Sequence, residues 1–137
     1  MRTPPFALAL VPGAAYFFLV ALVHTFGWHL PGAYIFFDIP STEFQDQIIG
    51  LLAFGWGVQF LGAARRCQKD QHASVTGVFL TGAVALLALV RIAALTDFHA
   101  YTPEPRMVAY WLQIGALAGY LAVLLVLAPR PRTLAAR

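Results

Sequence analysis

The sequence predicts an all-α fold, an antiparallel four-helix transmembrane bundle with a long aromatic outer loop between helices 1 and 2. Three observations carry that expectation. Hydrophobic residues make up 60% of the chain and charged residues 11%, and a mean hydropathy of +0.71 leaves too little polar surface to cover a water-soluble globule. Apolar stretches recur along the chain, each near the roughly 20 residues that a helix needs to cross a bilayer. Lys and Arg gather on one side of the path that four crossings would trace. Disorder is excluded by the same composition, since it requires few apolar residues and much charge. The single cysteine excludes a disulfide framework. The 137 residues therefore read as one integral-membrane domain, 1–137.

The first span covers about residues 6–23. Pro12, followed by Gly13, removes a backbone donor and predicts a kink or irregular first turns, which a bundle tolerates when neighbouring helices satisfy the freed backbone. Arg2, a short apolar run and the small residues Gly13, Ala14 and Ala15 have the outline of a cleavable signal peptide. The run continues through Tyr16 and Phe17 to Val23 without a polar break, so a retained span is expected. The loop that follows, residues 24–42, is long and not polar: Phe26, Trp28, Tyr34, Phe36 and Phe37 alternate with Gly27, Pro31, Gly32 and Pro40. Such a segment is either an aromatic belt at the outer interface or a lid folded over the bundle mouth.

Ser41, followed by Thr42, Glu43 and Phe44, is the expected cap of the second helix, with acidic residues in the first turn where the helix dipole favours them. The second, third and fourth spans, about residues 44–64, 73–95 and 107–128, contain no proline. Cys67 lies beside Arg65, Arg66 and Lys69, a setting for a lowered thiol pKa or acylation, or for an unreactive thiol at a helix end. Gly115 and Gly119 give a GxxxG spacing that suits a homodimer as well as packing within the bundle.

Orientation follows from the bases. Arg2 precedes the first span, Arg65, Arg66 and Lys69 separate the second from the third, and Arg130, Arg132 and Arg137 follow the fourth, whereas Arg106 is the sole base of the two opposite loops. The positive-inside rule then places both termini and the middle loop in the cytoplasm. Asp38, Glu43, Asp46, Asp97 and Glu104 collect on the other side. Bases distributed in this way form no nucleic-acid patch; the expected partner is the lipid bilayer.

Inside an apolar span, an ionisable residue is the informative one. Arg91 sits in the third span a little over a turn from its outer end, at a depth shared by Glu43, Asp46 and Gln47 on the second helix and Gln113 on the fourth. Helical spacing gathers Glu43, Asp46, Gln47, Gly50, Phe54 and Gly57 into one stripe. Gly77, Thr81, Val84, Ala88 and Arg91 form another, Arg106, Tyr110, Gln113, Leu117 and Tyr120 a third, and Gly13, Phe17, Val20 and His24 a fourth. Small and polar stripes face neighbouring helices. The expected binding cluster is thus Glu43, Asp46, Gln47, Arg91 and Gln113, with His24 and Tyr110 at its edge. Arg91 should pair with Glu43 or Asp46, either to recognise a ligand or to fix helix register. His24 with His29, or His24 with His99, lacks the spacing of a metal or haem site, and no cofactor motif is present.

The order of four short spans and a long first outer loop, a second helix that opens acidic and runs Gly50, Leu51, Leu52, Ala53, Phe54, Gly55, and a third that ends Val90, Arg91, Ile92, Ala93, Ala94, Leu95, resembles the DoxX-like superfamily of small four-helix membrane proteins. The most specific element of the likeness is the arginine near the end of the third helix, here Arg91. The resemblance implies the four-helix fold and a place in the bacterial inner (plasma) membrane. One branch of that superfamily is named for a subunit of a thiosulfate:quinone oxidoreductase, and most members have no assigned activity.

Two functions are expected. In the first, the outer polar cluster binds a small amphiphile, lipid-like or quinone-like, or the bundle supports a partner membrane subunit. In the second, a small membrane enzyme acts on such a molecule by acid/base chemistry from Glu43 or Asp46, with Arg91 stabilising negative charge. A proton-coupled exporter is disfavoured, because the first span has no carboxylate at membrane depth.

Overall fold

The computed structural model describes residues 4–34, 40–67 and 69–128. Among them the chain is helical and no strand occurs. The long helices are α1 (Pro5–Thr25), α2 (Glu43–Arg66), α3 (Gln71–Leu95) and α4 (Met107–Leu127), with one 3₁₀ turn at Phe98–Ala100. All four long helices have the length and hydropathy to cross a membrane. The first three helices contain the expected spans and extend beyond them by one or two residues, whereas α4 stops at Leu127, one residue short of the expected end. Phe36 and Phe37 of the aromatic loop, and Arg2, Arg130, Arg132 and Arg137 of the charge pattern, lie outside the described residues.

Each helix end has a local cause. Pro5 starts α1, where its missing N–H is no loss. Gly27, at φ 66°, ends it: the Gly27 amide donates to His24 O at 3.3 Å and the Trp28 amide to Val23 O at 2.7 Å, a paired closure that needs a left-handed residue in the middle. The helix continues through Pro12 without a break. Beside that point the Tyr120 hydroxyl of α4 donates to the carbonyl of Ala9 at 2.6 Å, tying α4 to α1 one residue past Leu8, whose carbonyl loses its helical donor at Pro12. At α2 the cap is Thr42 and not the expected Ser41: Thr42 Oγ1 accepts from the Gln45 amide at 3.3 Å, and Gln45 Oε1 accepts from the Thr42 amide at 2.9 Å. This reciprocal box leaves the Ser41 hydroxyl available for other contacts.

Glycine sets how closely α1 and α2 approach. A β-carbon at Gly57 would lie 2.7 Å from the Phe18 ring, and one at Gly50 would lie 3.2 Å from the Ala21 carbonyl oxygen. The main core forms beside this contact, from Phe6, Leu10 and Ala14 of α1, Phe60, Ala63 and Ala64 of α2, Val78 of α3 and Leu124 of α4, with Cys67 closing it at the α2–α3 turn. Aromatic rings carry the core along the helices: Phe17 stacks on Trp56 at 5.9 Å and meets Phe60 edge-on at 5.5 Å. The helix neighbours are α1 with α2 and α4, α2 with α3, and α3 with α4. Two hydrogen bonds tie the sparser contacts, Gln59 Nε2 to Thr81 Oγ1 at 2.7 Å and Tyr110 OH to Leu89 O at 2.7 Å. The outward faces of α3 and α4, with Leu80, Val84, Leu87, Leu112 and Val126, are exposed and apolar, as a lipid solvent requires and water does not favour.

Candidate functional site

The segment after α1 turns back on the helix it leaves. Gly32, at φ 81°, allows the reversal, and its carbonyl accepts from Tyr16 OH at 2.9 Å. Tyr34 is thereby buried against Val23 and Ala33. Its ring stacks on the His24 imidazole with centroids 4.2 Å apart, and the His29 ring lies 4.4 Å away. Burial pushes the Tyr34 phenol above its ordinary pKa, so it remains a neutral hydrogen-bonding group. Its oxygen is 3.0 Å from Ser41 Oγ.

These groups converge on Asp46. His24 Nδ1 stands 3.2 Å from Asp46 Oδ1; the carboxylate can only accept there, so Nδ1 carries the hydrogen. Ser41 Oγ lies 2.9 Å from both Oδ1 and Oδ2. The His24 side chain is fully buried, while that of Asp46 keeps 13% of its surface. Asp46 is therefore held from behind by α1 and the returning loop while one side stays open. That side is the rim of a cleft of about 370 Å³ between the start of α2 and the end of α3, lined also by Ser41, Gln45, Ile48, Ile49, Ile92, Phe98 and Tyr101.

Of the residues singled out from the sequence, the structure joins His24 and Asp46 directly. The expected ion pair of Arg91 with Glu43 or Asp46 is not formed among the described residues, and Arg91 is exposed. The reason is azimuth. Ile92 lines the cleft, and the residue before it points roughly 100° away round the helix. Glu43 and Gln47 are exposed and share a contact of 3.4 Å. Gln113 lines a different cleft, of about 440 Å³, between α1 and α4, with Tyr16, Gly32 and Tyr120. Tyr110 is buried, its hydroxyl spent on Leu89 O and its ring 5.8 Å from Phe98. Sequence reasoning missed Tyr34 and Ser41 as members of the cluster. The Thr42–Gln45 spacing was the available signal for Ser41, because it assigns the cap to its neighbour.

Chemically the cluster is a polarised acceptor. It does not form a nucleophile relay, since Ser41 bonds the carboxylate and not the imidazole, and the buried His24 cannot touch a substrate. Among the described residues no group of three His, Cys, Asp or Glu side chains is placed to hold a metal ion. On α4, Gly115 and Gly119 have no neighbour within 4 Å of an added β-carbon. Comparison with protein-family models, curated proteins and solved structures gives no match.

Proposed function

We propose that the chain is a small integral membrane protein of the DoxX-like type, an antiparallel four-helix bundle with both termini cytoplasmic, whose outer-leaflet cluster binds a small amphiphile. The observation that carries this reading is Asp46, a carboxylate braced by His24 and Ser41 at the rim of a cleft whose remaining walls are mostly apolar. A pocket with one charged corner and apolar walls suits a molecule with a polar head and a hydrocarbon body. Binding is favoured over acid/base catalysis, because no direct ion pair brings Arg91 to the carboxylate it was expected to assist and Glu43 stands in the open.

Orientation in this proposal rests on Arg65, Arg66 and Lys69 at the α2–α3 turn, together with the basic ends of the chain. It places Asp46 in the outer leaflet of a bacterial inner membrane. Extracting and weighing the lipids that co-purify with the wild type and with Asp46→Asn tests the site. A species enriched on the wild type and depleted on the variant is expected; identical lipid profiles would count against the proposal.

A further inference from the structure

Two clefts share Ile49 of α2, one between α2 and α3 and the other among all four helices. One begins at Ser41 and Asp46 and runs over Ile48, Ile49 and Ile92. The other, of about 340 Å³, begins at Ile49 and continues past Leu52, Ala88 and Trp56 to Phe60 and Tyr120. Ile49 lines both, and on α3 Leu89 of the second cleft and Ile92 of the first stand three residues apart on one face. Read as one furrow, the two follow about 21 Å of α2 from Asp46 to Phe60 at the helical rise per residue. That is close to the length of an extended palmitoyl chain. Among the described lining residues the one carboxylate is Asp46, at one end, and no Lys or Arg lines either part.

From this we infer that the furrow takes a long-chain amphiphile with a protonated amine head at Asp46 and its tail laid along α2 past Trp56 to Phe60. The inference rests on the amphiphile-binding reading above and names the ligand class of that site. An anionic head, a fatty acid or a bare phosphate, would meet Asp46 with no base in the furrow to offset the repulsion. An ammonium reverses that sign. It can donate to Asp46 Oδ2, which accepts from Ser41 and keeps room for a second donor, making a charge-assisted bond. Phe98 and Tyr101 border the same end, and aromatic rings beside a cation favour it. Further down, Phe17, Leu52, Leu86 and Leu121 supply a wall that selects only for hydrocarbon.

Trp56 makes tail occupancy measurable. The chain has three tryptophans, so Trp28→Phe with Trp111→Phe leaves Trp56 as the reporter. In phosphatidylcholine nanodiscs this protein would be titrated with hexadecylamine brominated near the chain end, and separately with palmitic acid brominated at the same carbon. Saturable quenching by the amine at concentrations about tenfold or more below the acid is expected, the scale of a charge-assisted hydrogen bond. Asp46→Asn, nearly isosteric, should erase the preference. Ala88→Phe, at an exposed position on the furrow wall, should abolish quenching while the protein's melting temperature holds. A chain-brominated ethanolamine phospholipid carries the same ammonium; Asp46-dependent quenching by it would identify a bilayer lipid as the source, and quenching by the free amine alone would identify a single-chain base. If acid and amine quench equally and Asp46→Asn weakens both, the amphiphile site stands and this ligand assignment falls. If no probe depends on Asp46, both fall.

Discussion

Asp46 connects most of what is polar at its end of the molecule, and its contacts predict how it fails. Asp46→Ala removes the acceptor that His24 Nδ1 and Ser41 Oγ share, which should lower stability by about 1–3 kcal/mol; thermal unfolding in detergent measures it. Asp46→Asn keeps an oxygen for both and should lose much less. Arg91→Met, by contrast, should change stability by less than about 0.5 kcal/mol, because the exposed guanidinium forms no ion pair with Glu43 or Asp46. A loss of several kcal/mol on the same melting curve would mean that Arg91 is paired after all. At this scale the sequence was half legible. Depth along a span can be counted, and Asp46 does line one cleft with Ile92, the residue after Arg91. Rotation about the axis is harder to count from hydropathy, because α3 is apolar on nearly every side: of the stripe Gly77, Thr81, Val84, Ala88 and Arg91, Thr81 bonds Gln59 of α2 and Ala88 lines a cleft with α2, whereas Arg91 is exposed and makes no ion pair with Glu43 or Asp46.

Glycines distinguish the tightly packed helix pair from the open face. Gly13→Ala puts a methyl group against the Tyr120 hydroxyl and within 2.7 Å of the Phe60 ring, and Gly57→Ala puts one within 2.7 Å of Phe18; each should cost about 1–3 kcal/mol as overpacking. Gly115→Ala and Gly119→Ala meet nothing within 4 Å and should be neutral or stabilising by up to about 1 kcal/mol, as expected for glycine replaced in a helix interior. Parallel melts of the four variants check the contrast, and a large loss at Gly115 or Gly119 would show that α4 meets another helix there. Cys67 reports on the same core. It is buried at the end of α2, and burial raises its thiol pKa, so less thiolate exists at a given pH than for a free cysteine. Maleimide labelling of the folded protein should therefore be slow near neutrality, quicken as pH rises, and match free thiol once the protein is denatured. The helices themselves were legible to within about two residues at each end, since each is an apolar run bounded by proline, glycine or charge. The loop was not: its fold onto α1 depends on the positive φ of Gly27 and Gly32, and glycine in a sequence permits that conformation without requiring it.

Across the whole molecule, the packing is uneven. The first two helices share close glycine contacts, whereas α3 and α4 present long apolar faces outward and are held inward by Gln59–Thr81 and by the Tyr110 and Tyr120 hydroxyls. A furrow between α2 and α3 follows from that unevenness, and the carboxylate at its rim gives it a polar end. The proposed orientation is checked by reporter fusions after Arg137 and within residues 33–40: a cytoplasmic carboxy terminus and an external loop are expected, and the opposite pattern would place Asp46 in the inner leaflet. The most direct test of the central claim separates ligand binding from packing at the Asp46 corner. Replacing the His24–Asp46 pair with His24→Leu and Asp46→Leu removes donor and acceptor together, which for a buried pair is often neutral for stability. Native mass spectrometry and a melting curve on the same preparations should then show a bundle about as stable as the wild type that has lost its bound amphiphile. A stable double variant that retains the full ligand complement would contradict the account.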